Sequence, residues 1–130
     1  MKYMVLMQGN ASGMKSFGAM PPEDIRRHIQ FMISLNEELA KTGELVDAQG
    51  LSGPEQARIV RAKGPSGGVT VTDGPFPETK EFLAGYWILD CATEQRVLDL
   101  AARISGAPGK GGEPVNIPVE VRPIGQAPNV

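Results

Sequence analysis

Nine consecutive residues, Asp73-Gly74-Pro75-Phe76-Pro77-Glu78-Thr79-Lys80-Glu81, place three carboxylates and one ammonium around two prolines. That is, Asp73, Glu78, Glu81 and Lys80 are gathered in one short stretch. Pro75 and Pro77 fix φ and withhold two backbone donors, while Gly74 accepts backbone angles that other residues avoid. Such a turn could hold a polar ligand, with Lys80 or an N–H near Gly74 as donor, Glu78 and Glu81 as further contacts, and Asp73 as a general base. The competing assignment gives the Asp73 carboxylate to an Asx-type turn and leaves Glu78, Lys80 and Glu81 as a solvated cluster. His28 is the only histidine, and its ordinary pKa suits proton shuttling near neutrality. It sits beside the apolar stripe of a helix, where a structural role competes with a catalytic one. Acid–base cooperation would need His28 and Asp73 both within about 3 Å of a reacting group. Nothing in their spacing demands this, so the two are expected to lie apart.

Other candidates are weaker. Cys91 is the single cysteine, which excludes an internal disulfide, and with one histidine the chain lacks a zinc ligand set. It reads as a small core residue. No metal and no cofactor are expected. Gly106-Ala107-Pro108-Gly109-Lys110-Gly111 has the glycines and lysine of a phosphate loop, but it follows a helix and has no Ser or Thr after the lysine. Gly50-Leu51-Ser52-Gly53 lacks the spacing of a nucleophile elbow.

The elements that would carry these residues fit one domain, spanning 1–130. With 130 residues, 41% hydrophobic and 22% charged, the chain is long enough to bury a core without staples. Its formal net charge is −2 with no run of Lys or Arg, which argues against a nucleic-acid or anionic-membrane surface. No apolar run is long enough to cross a bilayer and the N-terminus is too short for a signal peptide, so a cytoplasmic location is the expectation.

Lys2 to Gln8 is apolar on both faces, as a central strand should be. Gly9 to Met20 reads as a Gly/Ser loop. Pro22 to Thr42 carries Ile25, Ile29, Met32, Ile33, Leu39 and Ala40 at helical spacing, with Pro at the entry and Gly43 beyond the end. Glu44 to Leu51 reads as a second strand. Ala57–Arg61 and Gly68–Thr72 read as a hairpin, with Val69 and Val71 turned inward. Phe82 to Asp90 alternates Phe82, Ala84, Tyr86 and Ile88 against Leu83, Gly85, Trp87 and Leu89. Thr93 caps a helix over Glu94–Ser105, which Gly106 ends, with Val97, Leu98, Ala101 and Ile104 inward. Gly106 to Pro114 is then a flexible loop and Val115 to Ile124 a last strand, whose Pro118 and Pro123 imply an edge or a bulge.

Without the hairpin this order is βαβ-βαβ. It predicts an α+β, ferredoxin-like antiparallel sheet with two helices on one face. Two strands are apolar on both sides, and two helices cover only one side. The other would expose Tyr86 or Trp87 with Leu, Met and Val side chains, more than a monomer ordinarily shows. A second copy packed sheet to sheet is the simplest cover, which predicts a homodimer with a large apolar interface.

Thr72 to Glu81, with Tyr3-Met4-Val5-Leu6 and Val119-Glu120-Val121-Arg122-Pro123-Ile124, resembles the DGPF proteins of the YCII-related family. The resemblance implies a dimeric α+β barrel built on the ferredoxin-like unit and similar in fold to muconolactone isomerases. It also implies a cleft in which some members carry a His and an Asp, and a link to sigma-factor-associated transcription. Two functions follow as expectations. One is a small-ligand-binding or accessory protein. The other is a small isomerase or lyase acting on a compact organic acid by proton transfer. Scarcity of catalytic side chains favours the first.

Overall fold

The computed structural model describes residues 1–73 and 81–129. Six strands and three α-helices follow one another as β1 (Lys2–Gly9), α1 (Ala11–Gly18), α2 (Pro22–Thr42), β2 (Leu45–Gly50), β3 (Arg58–Ala62), β4 (Val69–Asp73), β5 (Phe82–Asp90), α3 (Glu94–Ser105) and β6 (Val119–Pro123). Four strands form one antiparallel sheet in the order β2-β5-β1-β6, and β3 and β4 form a separate two-stranded sheet. This is the ferredoxin-like arrangement with an inserted hairpin.

The helix bounds follow from their end chemistry. Pro22 opens α2 where a missing N–H does no harm, and Gly43 closes it at φ 82°, in the left-handed region that suits glycine. Thr93 accepts from the N–H of Arg96 at 3.1 Å and starts α3. Both helices lie on one face of the sheet. There Tyr3, Val5, Trp87 and Leu89 pack with Leu35 and Leu39 of α2 and Val97, Leu100, Ala101 and Ile104 of α3. The indole N–H of Trp87 donates to Asn36 Oδ1 at 2.8 Å, so the largest core side chain buries no unpaired donor. Bidentate contacts from Arg103 to Glu38, at 2.6 and 3.1 Å, tie α3 to α2 across their exposed edge.

Several expectations need correction. The stretch 9–20 is no plain loop. Asn10 Oδ1 accepts from the Gly13 N–H at 2.7 Å and caps α1, an eight-residue helix. Ile29, Ile33 and Leu98 are exposed and so is Ala40, because the inward faces of α2 and α3 centre on Leu35, Leu39, Leu100 and Ile104. Val69 and Val71 point outward rather than inward, at 61% and 58% exposure. The segment 106–114 is packed, with Ala107 and Gly109 buried and backbone bonds from Val115 N to Ala107 O and from Gly109 N to Glu113 O. The last strand begins at Val119, not Val115, and lies at the sheet edge as its prolines require.

The residue just before β2 is tied to α3 by its carboxylate. Glu44 accepts from Arg96 Nε and Nη2 at 2.9 and 2.8 Å and from the Thr42 hydroxyl at 2.8 Å. These donors hold its carboxyl down at about 2, from an ordinary 4.5. Since the folded-state value is depressed, the stabilisation is complete above about pH 4.5 and is lost as pH falls through about 2. At about 1.4 kcal/mol per pKa unit the ceiling is about 3 kcal/mol, and the 38% exposure of the Arg96 side chain brings it nearer 1–2 kcal/mol. Urea unfolding of Glu44→Gln should therefore show a loss of about 1–2 kcal/mol at pH 7 that shrinks toward zero by about pH 2. A loss independent of pH would contradict the assignment.

Candidate functional site

A one-residue irregularity builds the site. In β2, Leu45 pairs with Leu89 on the helix-covered face. Strict alternation would send Asp47 to that same face. The register instead shifts between Leu45 and Asp47, so Asp47 pairs with Ile88 and Gln49 with Tyr86, both on the open face. A bulge re-aims a side chain in this way. The result is two rows of side chains across the open face, read from the strand register. One runs Arg122, Met4, Ile88, Asp47, and the next Glu120, Leu6, Tyr86, Gln49.

The middle of this face is apolar and its two edges are polar. Met4, Leu6, Tyr86 and Ile88 are half-buried. At the β2 edge the Tyr86 hydroxyl donates to Asp47 Oδ2 at 2.9 Å, and Gln49 Nε2 donates to Asp47 Oδ1 at 3.2 Å. The hydrogen bond to a carboxylate, the largest influence, raises the Tyr86 pKa above its ordinary value. At the β6 edge Gln8 Nε2 donates to Glu120 Oε1 at 3.3 Å, and the Arg122 guanidinium lies 3.8 Å from the Glu120 carboxylate. Such a floor can take an apolar ligand body, with a carboxylate or a hydrogen-bond donor satisfied at opposite edges.

Asp73, Glu81 and His28, singled out from the sequence, are not in these two rows. Asp73 closes β4, pairs with Arg58 in the hairpin register and meets Arg58 Nε at 3.4 Å. Its side chain is exposed. Glu81 is exposed just before β5. Gly74, Glu78 and Lys80 lie outside the described residues, and with them most of the acidic turn. His28 is half-buried on α2, in edge-to-face contact with Phe17 at 5.0 Å. Its Nδ1 is 3.0 Å from the Pro108 carbonyl, an acceptor only, so Nδ1 carries the proton. No hydrogen bond or ion pair joins His28 to Asp73 among the described residues.

Asp24 is a second residue that sequence reading missed. It is buried near the start of α2 and accepts from the Gly111 N–H at 3.0 Å and from Arg27 Nη1 at 3.4 Å. With His28 it fixes the 107–113 turn against the helix. Beside this turn is a shallow cavity of about 560 Å³, with Arg26, Gln30, Phe31 and Pro108 among its lining residues. Cys91 is buried, and burial is the main cause that raises its pKa. Among the described residues no group of three His, Cys, Asp or Glu side chains is placed to hold a metal. No helix among them is long and apolar enough to cross a membrane.

The fold and the face define an α+β protein of ferredoxin-like type with one side of its sheet left uncovered by the helices of the described residues. Residues 1–113 match the YCII-related domain family, and the chain belongs to that family. It is also similar to an uncharacterized protein of Rhizobium meliloti (strain 1021), 30% identical over 124 residues, which cover 95% of this chain and 92% of the relative.

The Asp47–Tyr86 bond can be read directly. Asp47→Asn should bring the Tyr86 phenol back toward about 10 in an ultraviolet titration, with Tyr3 the only other tyrosine to subtract. A Tyr86 titration unchanged by the substitution would show that the pair is not coupled.

Proposed function

We propose that the protein is a cytoplasmic homodimer that closes its open sheet face against a second copy and binds a compact organic acid in the space between. The observation that carries this reading is the pair of cross-strand rows, apolar in the middle and polar at both edges. The apolar body of the ligand rests on Met4, Leu6 and Ile88. Arg122 takes its carboxylate at the β6 edge. Binding or an accessory role is favoured over catalysis by the state of the polar groups. Tyr86 is held protonated, both Asp47 oxygens already accept bonds, and the His28 Nδ1 is committed to Pro108. The family resemblance adds a link to sigma-factor-associated transcription, in which the protein would report the ligand rather than transform it.

A second reading, an isomerase or lyase working by proton transfer, draws on the same Tyr86–Asp47 pair, since a donor and an acceptor stand 2.9 Å apart on an apolar floor. The two readings part in deuterated water. Catalysis would exchange an acidic C–H of the bound acid with solvent, and the binding reading predicts no exchange above the uncatalysed rate.

Sedimentation at micromolar concentration should give a dimer. An amide-detected titration with small carboxylic acids should shift resonances of β1 and β5, and Arg122→Gln should weaken that binding by about tenfold, as expected for one charge-assisted contact. A monomer, or shifts confined to other surfaces, would overturn the proposal.

A further inference from the structure

On the open sheet face the polar side chains are largely spent on one another. Tyr86 donates its hydroxyl proton to Asp47 Oδ2 at 2.9 Å, and Gln49 donates to Asp47 Oδ1 at 3.2 Å. Across the sheet, Gln8 Nε2 donates to Glu120 Oε1 at 3.3 Å. What remains is asymmetric. At the β6 edge the Arg122 guanidinium, 3.8 Å from Glu120 Oε2, still has a fork of N–H donors to offer. On β5 the Tyr86 oxygen has given away its one proton and keeps its lone pairs. Among the described residues no hydrogen bond is donated to it. The carboxylate beside it holds the phenol in its protonated form. A hydroxyl that donates to a carboxylate is polarised by it and accepts more strongly in turn. Toward a ligand, then, Arg122 is a donor and the Tyr86 oxygen an acceptor.

Their separation sets the length of what joins them. Tyr86 is two strands from Arg122, and it leans toward Asp47, which is three strands away. At about 4.8 Å per strand the two polar ends lie about 10–14 Å apart. A hydrogen bond of about 2.9 Å at each end leaves about 4–8 Å between the ligand's own polar atoms. The floor of that gap is Met4, Leu6 and Ile88, which offer nothing to a polar group and a thioether to an aromatic edge. One benzene ring with two para substituents has the required length and is apolar in between. It also has few rotatable bonds to immobilise, unlike an aliphatic acid of equal reach.

We propose that the open face selects an aromatic carboxylic acid with a para hydroxyl, which donates to the Tyr86 oxygen while the carboxylate takes Arg122. The assignment rests on the ligand reading above and adds the class of acid. Discrimination comes from the acceptor. Once the face is closed to water, an analogue without the hydroxyl proton leaves the Tyr86 oxygen unpaired.

Three probes that differ at one position test it: 4-hydroxybenzoate, benzoate and 4-methoxybenzoate, each titrated at neutral pH and followed by amide-detected NMR. In wild type 4-hydroxybenzoate should bind about tenfold more tightly than the other two, with shifts in β1 and β5. The methoxy group supplies the same oxygen without the proton. Tyr86→Phe keeps the ring and removes the acceptor, so its three affinities should converge to within about threefold. If none of the probes binds, or the shifts fall on other surfaces, the ligand reading and this assignment fail together. If all three bind at β1 and β5 equally, or the methoxy acid matches the hydroxy acid, the hydroxyl assignment alone is overturned. A tenfold preference that survives Tyr86→Phe also overturns it. The wild-type comparison can reject the assignment by itself, so the test does not depend on the variant folding.

Discussion

The two central strands, β1 and β5, carry apolar side chains on both sides, and among the described residues α2 and α3 cover one side only. Most of the architecture answers to that imbalance. On the covered side Tyr3, Val5, Trp87 and Leu89 form a closed core with α2 and α3. On the other side Met4, Leu6, Tyr86 and Ile88 remain half-buried in the single chain. At about 25 cal/mol per Å² of apolar surface, covering four such side chains is worth several kcal/mol. That is comparable with a large share of a small domain's net stability. On the reading proposed above this face is the binding surface, with polar residues along both of its edges.

Those edges are built with care for strand parity. The irregularity at Val46 turns Asp47 toward the open face and leaves Val46 49% exposed. Tyr86 then reaches Asp47 diagonally across the strand pair, a contact that requires both the register and the bulge. On the far edge, Pro118 just before β6 and Pro123 at its end lack backbone donors and discourage further strands from adding there. The Glu44–Arg96 clamp and the Asp24–Gly111 bond lie away from that face and hold the frame behind it.

Much of the fold was legible because strong local signals agreed with it. Pro22 and Gly43 bracket α2 and Thr93 starts α3, each a chemical reason tied to one residue. The alternation in β5 assigned Tyr86 and Trp87 to opposite faces, and only the choice of which face the helices cover was left open. The errors have equally specific causes. Two glycines, Gly13 and Gly18, weaken the helical signal of α1, and the short Asn10 cap that offsets them is easy to read as loop chemistry. Val69 and Val71 looked inward because an alternating strand was assumed to face the core, whereas this hairpin stands outside the main sheet. The site was the least legible part. Asp47 and Tyr86 are 39 residues apart, and a bulge that no residue type announces brings them together. The acidic turn drew attention because its charges are close in sequence; of it, the described residues include Asp73, 3.4 Å from Arg58 in the hairpin, and Glu81.

The central claim is that the open sheet face is covered by a second copy in solution. Hydroxyl-radical footprinting reads this directly from the methionines, since Met4 sits in the middle of that face and Met14 is exposed on α1 at 41%. Met4 and Tyr86 should be protected at concentrations where the dimer forms and should react on dilution, while Met14 reacts at every concentration. Oxidation of Met4 that keeps the same rate relative to Met14 from dilute to concentrated solution would contradict the account.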